Sequence, residues 1–150
     1  SNSARLNKHL QFNEELFSQI SSGYNPFNRG DSLLLLSAQL NTHQQITLDQ
    51  AQARIWQVIE HLKTTPLDPE ELERARTVLI ANQVYEQDSI ESQAVRMGTL
   101  ESIGLSWRPM DEDIEALNQV SAKDIQQAAA TYLTRQRLSV AYLLPEKNHG

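Results

Sequence analysis

Three helix-start signals lie in one stretch of this chain, and two apolar runs bracket that stretch. Thr47-x-x-Gln50 is a capping box, with a hydroxyl at the N-cap and an amide three residues on. Asp68-Pro69-Glu70-Glu71 puts Asp at the N-cap, Pro at the first helical position and carboxylates in the first turn. Ser121-Ala122-Lys123-Asp124 caps a last helix. The flanking runs, Leu33 to Leu40 and Leu138 to Leu144, read as strands, the second ended by Pro145. Strands before and after an unbroken helical stretch describe an α+β fold, not an alternating α/β one.

Local patterns fill in the elements. Ser3 to Gln11 reads as a short helix with Leu6 and Leu10 on one face. Leu16 to Tyr24 alternates imperfectly. With the Asn25-Pro26 and Arg29-Gly30-Asp31 punctuation, it makes a β-hairpin with Leu33–Leu40, whose second strand is expected to be buried on both faces. Leu48, Ala51, Ile55, Val58, Ile59 and Leu62 form one helical stripe that Pro66 ends, and Leu72, Ala75, Leu79 and Gln83 form a second. A helix from about Ser89 to Ile103 stops at Gly104. A shorter one follows Asp111-Glu112-Asp113, and the last turns Ile125, Ala128, Ala129 and Tyr132 inward. The chain after Pro145 reads as a flexible tail, so the folded unit is 1–145 and the tail 146–150.

Composition excludes several function classes. The length of 150 residues suits one domain that buries roughly two thirds of its unfolded surface. A net charge of -6 with scattered Lys and Arg lacks the clustered basic surface that nucleic acid requires. No apolar run approaches the ~20 residues of a membrane span. With no cysteine there is no thiolate nucleophile or thiolate zinc site. Ser1-Asn2-Ser3 has neither an initiator Met nor a leader pattern, so the true start is expected to lie upstream.

The residues offer no self-contained chemistry. A zinc hydrolase of this size usually pairs two His on one helical face with a Glu as general base. His9, His43, His61 and His149 are each isolated from other metal-ligating residues in that sense. There is no Gly-x-Ser-x-Gly elbow and no glycine-rich phosphate loop. The acidic clusters Glu70-Glu71-Glu73 and Asp111-Glu112-Asp113 sit at helix starts, where they favour the helix dipole and need no catalytic role. On these grounds alone the chain is an α+β domain that could serve as a binding or structural module, including a free-standing helix-rich one.

Several segments, in order, resemble the pitrilysin/insulinase family of zinc metallopeptidases. Leu67-Asp-Pro-Glu-Glu-Leu-Glu-Arg-Ala-Arg-Thr-Val-Leu79 is similar to the family's acidic helix opening followed by Leu-Glu-Arg-Ala-Lys/Arg. Val120-Ser-Ala-Lys-Asp-Ile125, continuing to Ala129-Ala-Thr-Tyr-Leu133, is similar to the late Val-Thr-Ala-Glu-Asp-Val segment. Ser3-Ala-Arg-Leu6 through Ser22-Gly23-Tyr24-Asn25-Pro26 resembles the helix that leads into the family's hairpin, and Gly104-Leu-Ser-Trp107 a Gly-Leu-x-Trp of many bacterial members.

The resemblance implies the second, zinc-free subdomain of a peptidase unit, starting partway through it. Its fold would be a two-layer sandwich: the hairpin plus a C-terminal strand in a mostly antiparallel sheet, covered by four to six helices. The family's zinc ligands, an inverted His-x-x-Glu-His and a distal Glu, belong to the other subdomain. Zinc is therefore expected in the parent peptidase and no metal in this chain. Second halves that support catalysis carry an Arg after the helix Leu and a Tyr in the first hairpin strand. Aligned on Leu10 and Leu16, those positions hold Gln11 and Ser18, and Glu15 stands where the family often has Gly. Gln11 and Ser18 are thus degenerate substrate-binding positions, with neither a fixed positive charge nor a phenol for a developing oxyanion. The resemblance further implies a non-catalytic half that forms chamber wall and binds extended peptide, partnered by the zinc-bearing subdomain or a homologous subunit. The alternative is an inactive partner subunit with a structural or assembly role. It points to the bacterial periplasm. Three strands are fewer than the family's sheet holds, so an open edge and self-association are expected.

Overall fold

The computed structural model describes residues 4–24, 31–87, 89–103 and 110–145. Residues 25–30 of the hairpin connection, the Gly104-Leu-Ser-Trp107 motif and the tail from 146 lie outside them. In order, the elements are α1 (Ala4–Leu6), a π-helix (Asn7–Asn13), β1 (Phe17–Tyr24), β2 (Leu34–Leu40), α2 (Leu48–Thr64), α3 (Pro69–Gln87), α4 (Ile90–Ser102), α5 (Met110–Gln119) and α6 (Ala122–Tyr132). A single turn of 3-10 helix at Arg135–Arg137 follows. The fold is α+β, a two-stranded antiparallel sheet with six α-helices among the described residues.

Helix starts fall where the capping chemistry puts them. Thr47 accepts from the Gln50 amide while the Gln50 side chain accepts from Thr47 N–H, at 3.1 and 2.9 Å. Asp68 accepts from Glu71 N–H at 3.1 Å ahead of Pro69. Ser121 and Asp124 form a second reciprocal box. The bonds Asp124 accepts from Ser121, backbone first and then side chain, hold its carboxyl below the usual carboxylate range. Ser89 caps α4.

The N-terminal helix keeps Leu6 and Leu10 on one buried face, as the spacing predicts, but most of it is π rather than α. Its wider turn ends with Glu14 N–H donating to His9 O and Leu16 N–H to Leu10 O. β1 then pairs antiparallel with β2 from Phe17↔Leu40 to Tyr24↔Leu34, with a register shift between Phe17 and Gln19. That irregularity explains the imperfect alternation: an extra residue near Ser18 lets Phe17 and Ile20, three apart, both face the core. Leu6, Leu10, Phe17, Ile20 and Ala51 form this core, with Leu16, Leu36, Leu40, Ile46, Ile55 and Val58 packed against it.

Two strand expectations are corrected. β2 is not buried on both faces: Leu34 and Leu35 are exposed, and only its Leu36 and Leu40 reach the core. A two-stranded ribbon has one covering layer to bury against, whatever its hydrophobicity. Leu138 to Leu144 is not in the sheet, which holds β1 and β2 alone among the described residues. The run beyond the 3-10 turn has no backbone ladder, although the Tyr142 hydroxyl is 2.5 Å from Gln52 Oε1 on α2. Strand propensity cannot make a strand without a neighbour to complete its hydrogen bonds. Tyr132, expected inward, is also exposed, with Arg137 stacked on its ring at 5.5 Å.

α2 packs against both the N-terminal core and α6, and α3 against α4 and α5. Trp56 is buried and capped by the Arg135 guanidinium at 4.7 Å and Lys63 Nζ at 5.6 Å. Arg5 of α1 reaches Glu71 of α3 with two bonds of 2.7 and 2.9 Å, and Gln126 of α6 donates to Lys63 O at 3.2 Å.

Glu15 links the π-helix to β1 with φ 52°, in the left-handed region. Its carbonyl accepts from Asn41 Nδ2 at 3.0 Å, which fixes the turn from the side chain after β2. A side chain in this conformation costs roughly 1–2 kcal/mol, and Gly gives back about 0.5–1 through its freer unfolded state. Glu15→Gly is therefore expected to raise stability by about 0.5 kcal/mol. Urea midpoints at unchanged m-value check this; a lower midpoint would show that the turn is not strained.

Candidate functional site

Gln11 leaves the end of the π-helix and Ser18 sits at the irregularity of β1, and the fold brings the two together. Gln11 Nε2 donates to the Ser18 carbonyl at 3.1 Å, and Ser18 Oγ donates to the Gln39 carbonyl on β2 at 3.3 Å. Gln11 is half-buried and Ser18 exposed. The juxtaposition follows from two local departures from regularity: the wide π turn sets where Gln11 leaves the helix, and the shifted register turns Ser18 away from the core. One helical turn on, Glu14 pairs with Arg54 of α2, closing the end of the π-helix onto the helical layer.

The chemistry available there is that of two neutral groups tied to backbone carbonyls. Neither provides a cation, an acid or a nucleophile activated by a base, so the pair cannot stabilise an oxyanion as a guanidinium or phenol would.

The histidines are dispersed. His9 is exposed on the π-helix, His43 in the turn after β2, and His61 in the last turn of α2, where its carbonyl accepts from Thr65 N–H. His149 lies outside the described residues. Among the described residues no group of three or more His, Asp or Glu side chains converges to hold a metal, so the donor set does not fit zinc. The acidic clusters are engaged structurally: Glu71 with Arg5, Glu73 with Arg76, and Asp113 with Arg96. An open hollow of about 360 Å³ between α3, α4 and α5 has its Arg96 and Asp113 already paired with each other.

What residue-level reading missed is how much apolar surface stays uncovered. Leu143 is 99% exposed and Leu35 67%, and Leu138, Val140, Tyr142 and Leu144 also reach solvent. On the helical side Val78, Leu79 and Tyr85 of α3 and Val95 of α4 are exposed. The stripe expected from Leu72, Ala75, Leu79 and Gln83 is corrected here: Ala75 and Leu79 are exposed and the apolar residues of α3 are spread around the helix, as for a helix that needs more than one packing partner. Among the described residues no helix is long and apolar enough to cross a membrane.

Comparison with known proteins agrees with this geometry. A search among curated proteins finds no match. The inactive peptidase domain of a candidate zinc protease from Bordetella parapertussis superposes with a TM-score of 0.72 at 22% identity, covering 91% of this chain and 73% of that one. A candidate zinc protease from Bordetella pertussis Tohama I gives 0.73 at 25% identity, covering 89% and 71%. The family profile described as the Peptidase M16 inactive domain matches residues 1–79, more than half of the chain and the part that holds the core, Gln11 and Ser18. By that match the chain belongs to the M16 (pitrilysin/insulinase-type) peptidases, as one of their inactive domains.

Proposed function

We propose that this chain, as the folded unit 1–145, is the non-catalytic half of a zinc-dependent metalloendopeptidase. It pairs with the zinc-bearing subdomain or a homologous subunit and lends its extended segments to the chamber wall and to peptide binding. The observation that supports this best is the run Leu138–Leu144. Its side chains are exposed, it contains no charge, and residues 139–144 make no backbone hydrogen bond among the described residues. A backbone with free N–H and C=O groups can accept an added strand, with alternate apolar side chains gripping the partner. Zinc belongs to the parent protein in this reading, and the chain itself performs no chemical step.

The test combines binding with chemistry. Fluorescein-labelled β-casein fragments, titrated into the purified chain, are expected to bind, and the chain is expected to hold no stoichiometric zinc and to cleave nothing when zinc is added. Leu143→Lys and Val140→Pro should each weaken that binding at least several-fold while the far-UV circular dichroism is unchanged. Chelator-sensitive cleavage would overturn the non-catalytic half of the reading, and binding indifferent to both substitutions would overturn the peptide-binding half.

A second reading, an inactive partner subunit with a structural or assembly role, is favoured by the engagement of Gln11 and Ser18 with backbone carbonyls. A His-x-x-Glu-His motif encoded upstream in the same polypeptide supports the first reading, and a degenerate motif there the second. Under either, uncharged extended segments without a covering strand favour self-association. Light scattering is expected to show a dimer or larger species, and a strictly monomeric, folded 17.0 kDa particle would count against it.

A further inference from the structure

We draw no further inference here: the strongest candidate, the uncovered apolar surface formed by the Leu138–Leu144 run and the exposed faces of α3 and α4, carries nothing beyond the reading above because nothing among the described residues shows what covers it.

Discussion

Replacing Leu10 with Ala is expected to lower the unfolding free energy by about 3 kcal/mol and the thermal midpoint by about 10 °C. Leu10 has no exposed surface, and it sits where the π-helix, β1 and α2 meet. Its truncation removes side-chain carbons from water-free surroundings and leaves a cavity. Four neighbours bound that cavity, Leu6, Phe17, Ile20 and Ala51, and the surrounding backbone limits its collapse. Leu10 O also accepts from Leu16 N–H at 2.9 Å, so the helix end cannot shift into the void without breaking the link that starts β1. Leu10→Met, which nearly conserves volume, should cost less than about 1.5 kcal/mol. Chemical denaturation of the three proteins checks the ordering. Equal loss in the Ala and Met variants would mean that the site is not packed as described. Because Gln11 is the next residue, the Ala variant is also expected to loosen the Gln11–Ser18 contact, seen as faster exchange of the Gln11 side-chain amide protons.

How far the sequence foretold this structure depends on the range of the interactions involved. Caps are local: Thr47 with Gln50, Asp68 with Glu71 and Ser121 with Asp124 are three residues apart, and all three helix starts are found there. The helical spacing that brings Leu6 and Leu10 to one face, and the separate stripe of α2 that carries Ala51, were likewise legible. The π-helix was not, because a wider turn keeps the same composition and changes only which carbonyl accepts each N–H. The β1 register shift left a trace in the broken alternation, but that trace does not say which residue is extra. The fate of Leu138–Leu144 depends on whether another strand lies beside it, and no property of the run itself determines that. At the site, Gln11 and Ser18 were placed by resemblance, and the fold puts them in contact. Their separation of seven residues would not have predicted that contact, since it requires the π-helix to end and the chain to reverse at Glu15.

Arg76→Ala is expected to cost about 2 kcal/mol and to release the junction of α5 and α6 from α3. The Arg76 side chain is only 13% exposed. Its Nε donates to Leu117 O at 3.1 Å and its Nη2 to Val120 O at 2.7 Å, while Glu73 one turn earlier holds the remaining edge of the guanidinium. Leu117 and Val120 lie at the C-terminal end of α5, where the dipole favours a cation and Leu117 O also accepts from Val120 N–H at 3.3 Å. One planar group thus bridges two carbonyls at this helix end and sets where Ser121 begins the next helix. Bonds to a charged donor are worth roughly 1.5–3 kcal/mol each, but water can take over part of both acceptors at this half-buried junction, so about 2 kcal/mol is expected for the pair together. Arg76→Lys should recover less than half of the loss, because one ammonium cannot reach both carbonyls in the fork geometry. Native-state hydrogen exchange separates this clamp from a general loss of stability. The amides of Val120 to Asp124 should exchange faster in Arg76→Ala, while those of β1 and β2, which rest on the Leu10 core, should slow or quicken only with the global stability. Full recovery by Lys would show that charge alone suffices, and uniform acceleration across the chain would show that Arg76 has no special hold on the α5–α6 junction.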